Sequence, residues 1–249
     1  MSGHSKWHNR IHRKSRQDAK RGALFSKMGK EILIAARAGG GDPVANQRLR
    51  LAIEKAREAG VPADNIRRAI ERGAGGGEGA AFEELTYEGY GPGGAAVLIE
   101  VQTDNRNRTS GDIRHVFSRH AGNLGEAGCV AWIFEKKGLL VIEREGSGLT
   151  EEAVLEMALD AGAEDVRTDE ESFAVITAPE DFEAVRQQLA RRGAKFALAE
   201  LTMEPKSTVQ LDGKDAEHMA RLVDLLEDHD DVSAVYTNHT TDDTDVLAQ

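Results

Sequence analysis

The sequence predicts an α+β protein of three domains. A basic N-terminal helical bundle precedes two small α/β modules of the split βαβ, ferredoxin-like kind, the third domain inserted in the second. Three observations carry this expectation. Apolar spacing is helical up to residue 73 and shifts toward a period of two beyond a glycine-rich break. Strand and helix patterns alternate from there to the end. The sign of the charge also reverses at the break. With 249 residues, 40% hydrophobic and 30% charged, the chain is long for one compact domain and can bury ordinary cores.

The first domain is expected over residues 1–73. Leu24, Met28, Ile32 and Ala35 recur at spacings of four, four and three, so they share a helix face. At about 100° per residue, Arg13, Arg16, Lys20, Lys27 and Lys30 fall within an arc of roughly 100° beside it. Gly39-Gly40-Gly41 ends this helix, and Asp42-Pro43 reads as N-cap and first residue of the next. The second helix extends to about Gly60 with Leu49, Ile53 and Ala56 inward; a third carries Ile66, Ala69 and Ile70 and stops at Gly73. Five glycines in the seven positions 73–79 then read as a flexible linker.

The second domain is expected to be discontinuous, over residues 80–135 and 206–239. Its strands are read at 95–102, 129–135, 208–211 and 232–236, and its helices at 109–121 and 215–228. In the first helix Ile113, Val116, Phe117 and His120 lie on one face. Residues 136–205 form the inserted domain, with strands at 138–143, 165–167, 173–177 and 195–202 and helices at 150–161 and 180–192. That order, βαββαβ, is the split βαβ pattern. One doubly wound sheet is the competing architecture; short strands and tight helix-to-strand joins favour two modules. An acidic tail occupies 240–249.

Net charge is −11, from 32 basic and 43 acidic residues, but it is unevenly spread. Residues 1–73 hold 17 Lys/Arg against 7 Asp/Glu, and residues 74–249 hold 15 against 36. Solvation of helical surfaces accounts for high charge density but not for one sign prevailing in one contiguous piece. The asymmetry indicates a cationic segment seeking a polyanion, joined to domains that repel one. No apolar run approaches the roughly 20 residues that span a bilayer, and the first dozen residues lack the apolar core of a secretory signal. A cytoplasmic protein without membrane contact is therefore expected. The single cysteine, Cys129, excludes an internal disulfide and a multi-cysteine zinc site.

Candidate chemistry is sparse. His4, His8 and His12 have a spacing that holds zinc on a helix, but no acidic or thiol ligand accompanies them. They suit better an arm in which imidazoles and Trp7 alternate with Lys6, Arg10, Arg13 and Lys14 to stack on bases and neutralise phosphates. The glycine-rich run 87–94 lacks the Lys-Ser/Thr of a phosphate-binding loop and reads as a close-packed strand entry or as two tyrosine stacking faces, Tyr87 and Tyr90. Residues 103–109 join strand to helix. There Arg106 and Arg108 would hold a phosphate at a helix N-terminus, would bridge domains, or would flank ordinary capping by Asn107 or Thr109. Cys129 with His115 or His120 lacks an orienting partner and reads as a core residue. The acidic run 224–231 lacks calcium-loop spacing and reads as solvated surface.

No catalytic residue, metal, cofactor or small-molecule substrate is expected. The candidate nucleic-acid contacts are His4, Lys6, Trp7, Arg10, Arg13, Lys14, Arg16, Lys20, Arg21, Lys27, Lys30, Arg106 and Arg108. Reversing Lys20, Arg21 and Lys27 to Glu should abolish binding and spare the fold. The reading requires that these cations are not neutralised by the protein's own carboxylates.

Several segments together resemble the YebC family, also called the PmpR or TACO1-type family. They are Gly3-His4-Ser5-Lys6-Trp7, Ala19-Lys20-Arg21-Gly22, Gly39-Gly40-Gly41-Asp42-Pro43 with Asn46, Arg48, Leu49 and Arg50, Pro62, Asp64-Asn65-Ile66, and the runs 87–94 and 103–109. Gly122-Asn123-Leu124-Gly125, Phe134-Glu135-Lys136-Lys137-Gly138 and Val235-Tyr236 complete the match. Arg10, Cys129 and the tail after Asn238 depart from the family pattern. Because the likeness begins at residue 3, no removable presequence is expected. The resemblance implies a helical domain and two α/β domains, the third within the second. It also implies regulation of gene expression, most often as transcriptional regulators on promoter DNA, alternatively as ribosome-bound translation factors that ease proline-rich stretches through ribosomal RNA. The arm's aromatic and imidazole character leans toward RNA, as does the want of a recognition helix bearing base readers.

Overall fold

A computed structural model of the chain describes residues 21–75 and 82–241. Three helices come first: α1 (Arg21–Gly39), α2 (Gln47–Glu58) and α3 (Ala63–Ala74). Their shared core holds Ile32, Ala35, Leu49, Ile53, Ala56, Ile66 and Ala69 from the expected stripe, with Met28 and Ile70 packed against it and Phe25 rather than Leu24 at the start of α1. The cap of α2 differs from expectation. Asp42 closes a turn by accepting the Val44 N–H at 2.9 Å, and the helix starts four residues later under Asn46. Buried Asn46 accepts the Leu49 N–H at 3.1 Å and donates to the Ala35 and Gly40 carbonyls at 2.8 and 2.9 Å. One side chain thus satisfies both the end of α1 and the start of α2. Gly73 is no linker residue: it is buried in α3, where a Cβ would stand 2.4 Å from the Leu33 carbonyl.

Beyond residue 81 two sheets form. The first contains β1 (Glu83–Tyr90), β2 (Ala96–Thr103), β3 (Asn123–Leu124) and β9 (Val232–Thr237), in the order β3-β1-β2-β9. Strand β1 was not expected. It pairs with β2 in unbroken register from Glu83↔Thr103 to Tyr90↔Ala96. The run expected to be a strand entry is therefore the end of β1 and its hairpin connection, where Gly93 (φ 63°) and Gly94 (φ 76°) adopt left-handed backbone. Helices α4 (Arg106–Arg119) and α7 (Gly213–Asp228) cover one face with Ile113, Phe117, Met219, Leu222, Val223 and Leu226. A short parallel pair, β8 (Val209–Leu211) with β10 (His239–Thr241), lies beside them.

The second sheet contains β4 (Phe134–Glu143), β5 (Asp165–Thr168), β6 (Ser172–Thr177) and β7 (Leu198–Pro205) in the order β5-β6-β4-β7. With α5 (Glu151–Ala161) and α6 (Phe182–Arg191) it follows the βαββαβ sequence, and its chain segment lies between β3 and β9 of the first sheet. One expected strand is absent. Residues 129–133 are a loop and a single 3₁₀ turn because the buried Glu88 carboxylate accepts the N–H groups of Gly128, Val130 and Ala131 at 2.6, 2.8 and 2.7 Å. Strand β4 begins after that turn and pairs wholly within the second sheet. Among the described residues, no helix is long and apolar enough to cross a membrane.

Candidate nucleic-acid interface

Eight of the thirteen expected contacts, His4, Lys6, Trp7, Arg10, Arg13, Lys14, Arg16 and Lys20, lie outside the described residues, and Arg21 is the first position of the described helix. The remaining four fall into two groups. Lys27, Lys30 and Arg108 are engaged by the protein itself. Arg106 is exposed, and its carbonyl accepts the Tyr87 hydroxyl at 3.3 Å.

Lys27 and Lys30 sit on the flank of α1 that meets α7 and β2. Lys27 donates to the Glu227 carbonyl in the last turn of α7, where unpaired carbonyls and the helix dipole favour a cation. Burial lowers the Lys27 pKa, against the opposing pull of Glu227, Asp230 and Asp228. Lys30 reaches the Gln102 and Asp230 carbonyls, each at 3.1 Å, and the Asp231 carboxylate at 2.9 Å.

Asp231 is the centre of this junction. Its Oδ2 accepts from Arg108 at 2.8 Å, from the Thr109 hydroxyl at 2.7 Å and from Thr103 at 3.2 Å, while Oδ1 takes Lys30. Burial alone would raise its pKa, but the hydrogen bonds from Arg108, Lys30 and Thr109 prevail and hold it well below the usual carboxylate range. The side chain is only 7% exposed. The anion expected at the start of α4 is thus an internal one. Arg108 binds Asp104 and Asp231, both within its own domain, so it is held internally and is not a phosphate clamp; the contact that crosses from the helical domain to Asp231 is Lys30. The cap of α4 is Asn105, whose side chain accepts the Arg108 N–H at 3.1 Å, rather than Asn107 or Thr109.

A second junction lies nearby. Arg48 of α2 grips Glu31 of α1 through Nε at 2.8 Å and Nη2 at 3.1 Å, and its other edge binds Glu84 of β1. The hydrogen bonds that Arg48 donates to Glu84 and Glu31 raise its pKa further above its ordinary value. Sequence reading missed Asp231 because it ends an acidic run taken as solvated surface. The usable signal was its place directly before the apolar strand β9.

Other candidates resolve simply. Cys129 is part-buried; burial, then the Glu88 carboxylate, push its thiol pKa up, which suits a packing residue and not a nucleophile. Among the described residues, no group of three or more His, Cys, Asp and Glu side chains is arranged to hold a metal ion; the His4, His8 and His12 series lies outside them.

At the opposite end of α4 and α7, His120 and His218 meet edge to face, centroids 6.4 Å apart with planes at 82°. Burial lowers the His120 pKa, as do His218, Arg221 and Arg119.

Two family descriptions match nearly the whole chain: a TACO1/YebC protein N-terminal domain over residues 5–76, and a TACO1/YebC second and third domain over residues 82–239. A relative from Pelotomaculum thermopropionicum, named a probable transcriptional regulatory protein, is 55% identical across 98% of this chain and 100% of its own. Another of that name, from Dictyoglomus turgidum, is 56% identical across 96% of this chain and 95% of its own. The crystal structure of a conserved hypothetical protein from Aquifex aeolicus matches with a TM-score of 0.82 at 45% identity, over 93% of this chain and 95% of that one. With matches on both sides of the glycine-rich stretch and relatives more than half identical along almost the full length, the chain belongs to the TACO1/YebC family.

Proposed function

We propose that this protein is a non-enzymatic regulator of gene expression that binds promoter DNA through its cationic front end. The observation that carries this reading is the 17 to 7 excess of Lys/Arg over Asp/Glu in residues 1–73 of an otherwise acidic chain. The name shared by its relatives, probable transcriptional regulatory protein, agrees with it. Geometry narrows the contact set. Lys27 and Lys30 fasten the helical domain to the first sheet and Arg108 is held by Asp104 and Asp231, so this reading assigns the phosphate contacts to His4, Lys6, Trp7, Arg10, Arg13, Lys14, Arg16, Lys20 and Arg21, with Arg106 as an outlying cation.

A second reading, ribosome-bound translation factor, is favoured by one feature of the same arm. Trp7 and three imidazoles among basic residues suit unstacked RNA bases better than a duplex groove. Crosslinking in cells, followed by sequencing of the recovered nucleic acid, separates the two. Promoter DNA with a steep loss of affinity in salt supports the first, with log K falling by about 0.9 per neutralised phosphate for each unit of log[salt]. Ribosomal RNA crosslinked through Lys6 or Trp7, with co-sedimentation on ribosomes, supports the second. Recovery of neither overturns both.

A further inference from the structure

Helix α4 is out of character with the acidic part of the chain. It carries four arginines, Arg106, Arg108, Arg114 and Arg119, and one acid, Asp112. Positions 108, 112, 115 and 119 recur at steps of four, three and four, so they form one flank. That flank faces the last turn of α7 and the residues after it, since Arg108 binds Asp231 and Asp112 lies 3.5 Å from His229. The first half of the flank is therefore spoken for. Its second half, His115 and Arg119, leads to His120, whose ring meets His218 of α7, with Arg221 one turn further along that helix.

We propose that this end of the α4–α7 pair, formed by His115, Arg119, His120, His218 and Arg221, is a second phosphate-binding surface that grips nucleic-acid backbone. Three features carry it. Among the described residues, no hydrogen bond or ion pair engages the Arg119 or Arg221 guanidinium. Both are exposed, and the two imidazoles between them are partly buried in contact with each other. The acids nearest in sequence on α7, Glu217 and Asp224, are exposed and form no ion pair with Arg221. Lys30, Arg48 and Arg108 are held by the protein's own carboxylates, whereas Arg119 and Arg221 have no ion-pair partner among the described residues. Guanidinium forks and imidazole N–H groups match phosphate oxygens, and exposed cations on two neighbouring helices suit the spaced charges of a polynucleotide backbone.

The surface rests on the nucleic-acid reading above, and the test keeps the two apart. Full-length protein is titrated with a promoter-length DNA duplex and, separately, with a structured ribosomal RNA fragment, across a salt series. Arg119→Ala/Arg221→Ala should reduce the slope of log K against log[salt] by about 2 and weaken binding about 10- to 100-fold at 0.1 M salt. His120→Ala should weaken binding less, and the polyanion showing the larger losses is the physiological class. A double variant that binds like the parent, while Lys6→Ala/Arg10→Ala/Lys14→Ala loses affinity, overturns this surface and leaves the front-end reading standing. A parent protein that binds neither polyanion overturns both. Because Arg119 and Arg221 are exposed, an unchanged circular dichroism melt certifies the fold of the double variant.

Discussion

The two ends of the α4–α7 pair treat positive charge in opposite ways. At one end the start of α4 and the finish of α7 converge on Asp231, which binds Lys30, Arg108 and Thr109 and leaves no net cation to offer. At the other, His120 and His218 meet edge to face, and burial together with His218, Arg221 and Arg119 lowers the His120 pKa. The difference follows from helix polarity and from what packs on each end. The basic helix α1 docks where α7 ends, so Lys27 and Lys30 find carbonyls and carboxylates there. Among the described residues, no carboxylate pairs with Arg119 or Arg221 at the far end. Counting cations along the chain cannot tell these cases apart; partners in space can.

Removing Asp231 tests the first end most severely. Asp231→Ala leaves part-buried Lys30 without its carboxylate and Arg108 with Asp104 alone, and should cost about 3 to 5 kcal/mol in denaturant unfolding. A loss under about 1 kcal/mol would show that the junction contributes little. The same carboxylate sets a pH dependence. Its folded pKa lies below its unfolded value, so the stabilisation is present above the unfolded value near about 4 and is lost as pH falls through the folded one. Asp231→Asn should flatten stability against pH in that acidic window, leaving the slope above pH 5 or so untouched.

Lys27 gives the next largest effect and corrects an expectation. Reversing Lys20, Arg21 and Lys27 together looked innocuous from sequence. In the structure a glutamate at 27 would meet the Glu227 carbonyl and the nearby Asp228 and Asp230 charges. Lys27→Glu alone should therefore cost about 2 to 3 kcal/mol, read by thermal or urea unfolding. Lys20→Glu/Arg21→Glu is the cleaner binding test. Arg48→Lys follows. It keeps the charge but loses the fork between Glu31 and Glu84, on a site whose side chains are 41%, 32% and 48% exposed, and should cost about 1 kcal/mol by the same measurement.

What was legible in sequence tracks the physics of each segment. Helices α1 to α3 bury a stripe with a period near 3.6, and their core residues appear where that period puts them. The βαββαβ unit has unambiguous punctuation, with Thr150 accepting the Ala153 N–H and Gly162 in left-handed backbone (φ 88°) after α5. Strand β1 was hidden because Glu83, Glu84, Thr86, Glu88 and Gly89 dilute its apolar signal; Glu88 is buried there to hold the next loop, and Gly89 lets the backbone approach Phe117. The apolar stretch at 129–133 deceived for the complementary reason: three N–H groups claimed by Glu88 turn what reads as a strand into a 3₁₀ turn. The candidate site was legible only as charge. Most of the arm lies outside the described residues, and inside them the division between engaged and uncompensated cations depends on Asp231, Glu31 and Glu84, which come from distant parts of the chain.

The smallest expected effect sharpens the comparison furthest. Arg119→Ala removes an exposed guanidinium that holds no carboxylate, so its unfolding free energy should stay within about 0.5 kcal/mol of the parent. Relief of the like-charge pressure on His120 should appear instead as a rise in that imidazole's pKa, because Arg119 is one of the positive charges holding it down. Titration of the His120 ring by NMR checks this. A clear rise at constant stability identifies the far end as a surface where positive charge is concentrated without internal compensation, the reverse of the Asp231 junction. An unchanged His120 titration together with lost stability would mean that Arg119 is engaged in packing, and the two ends would then differ in degree only.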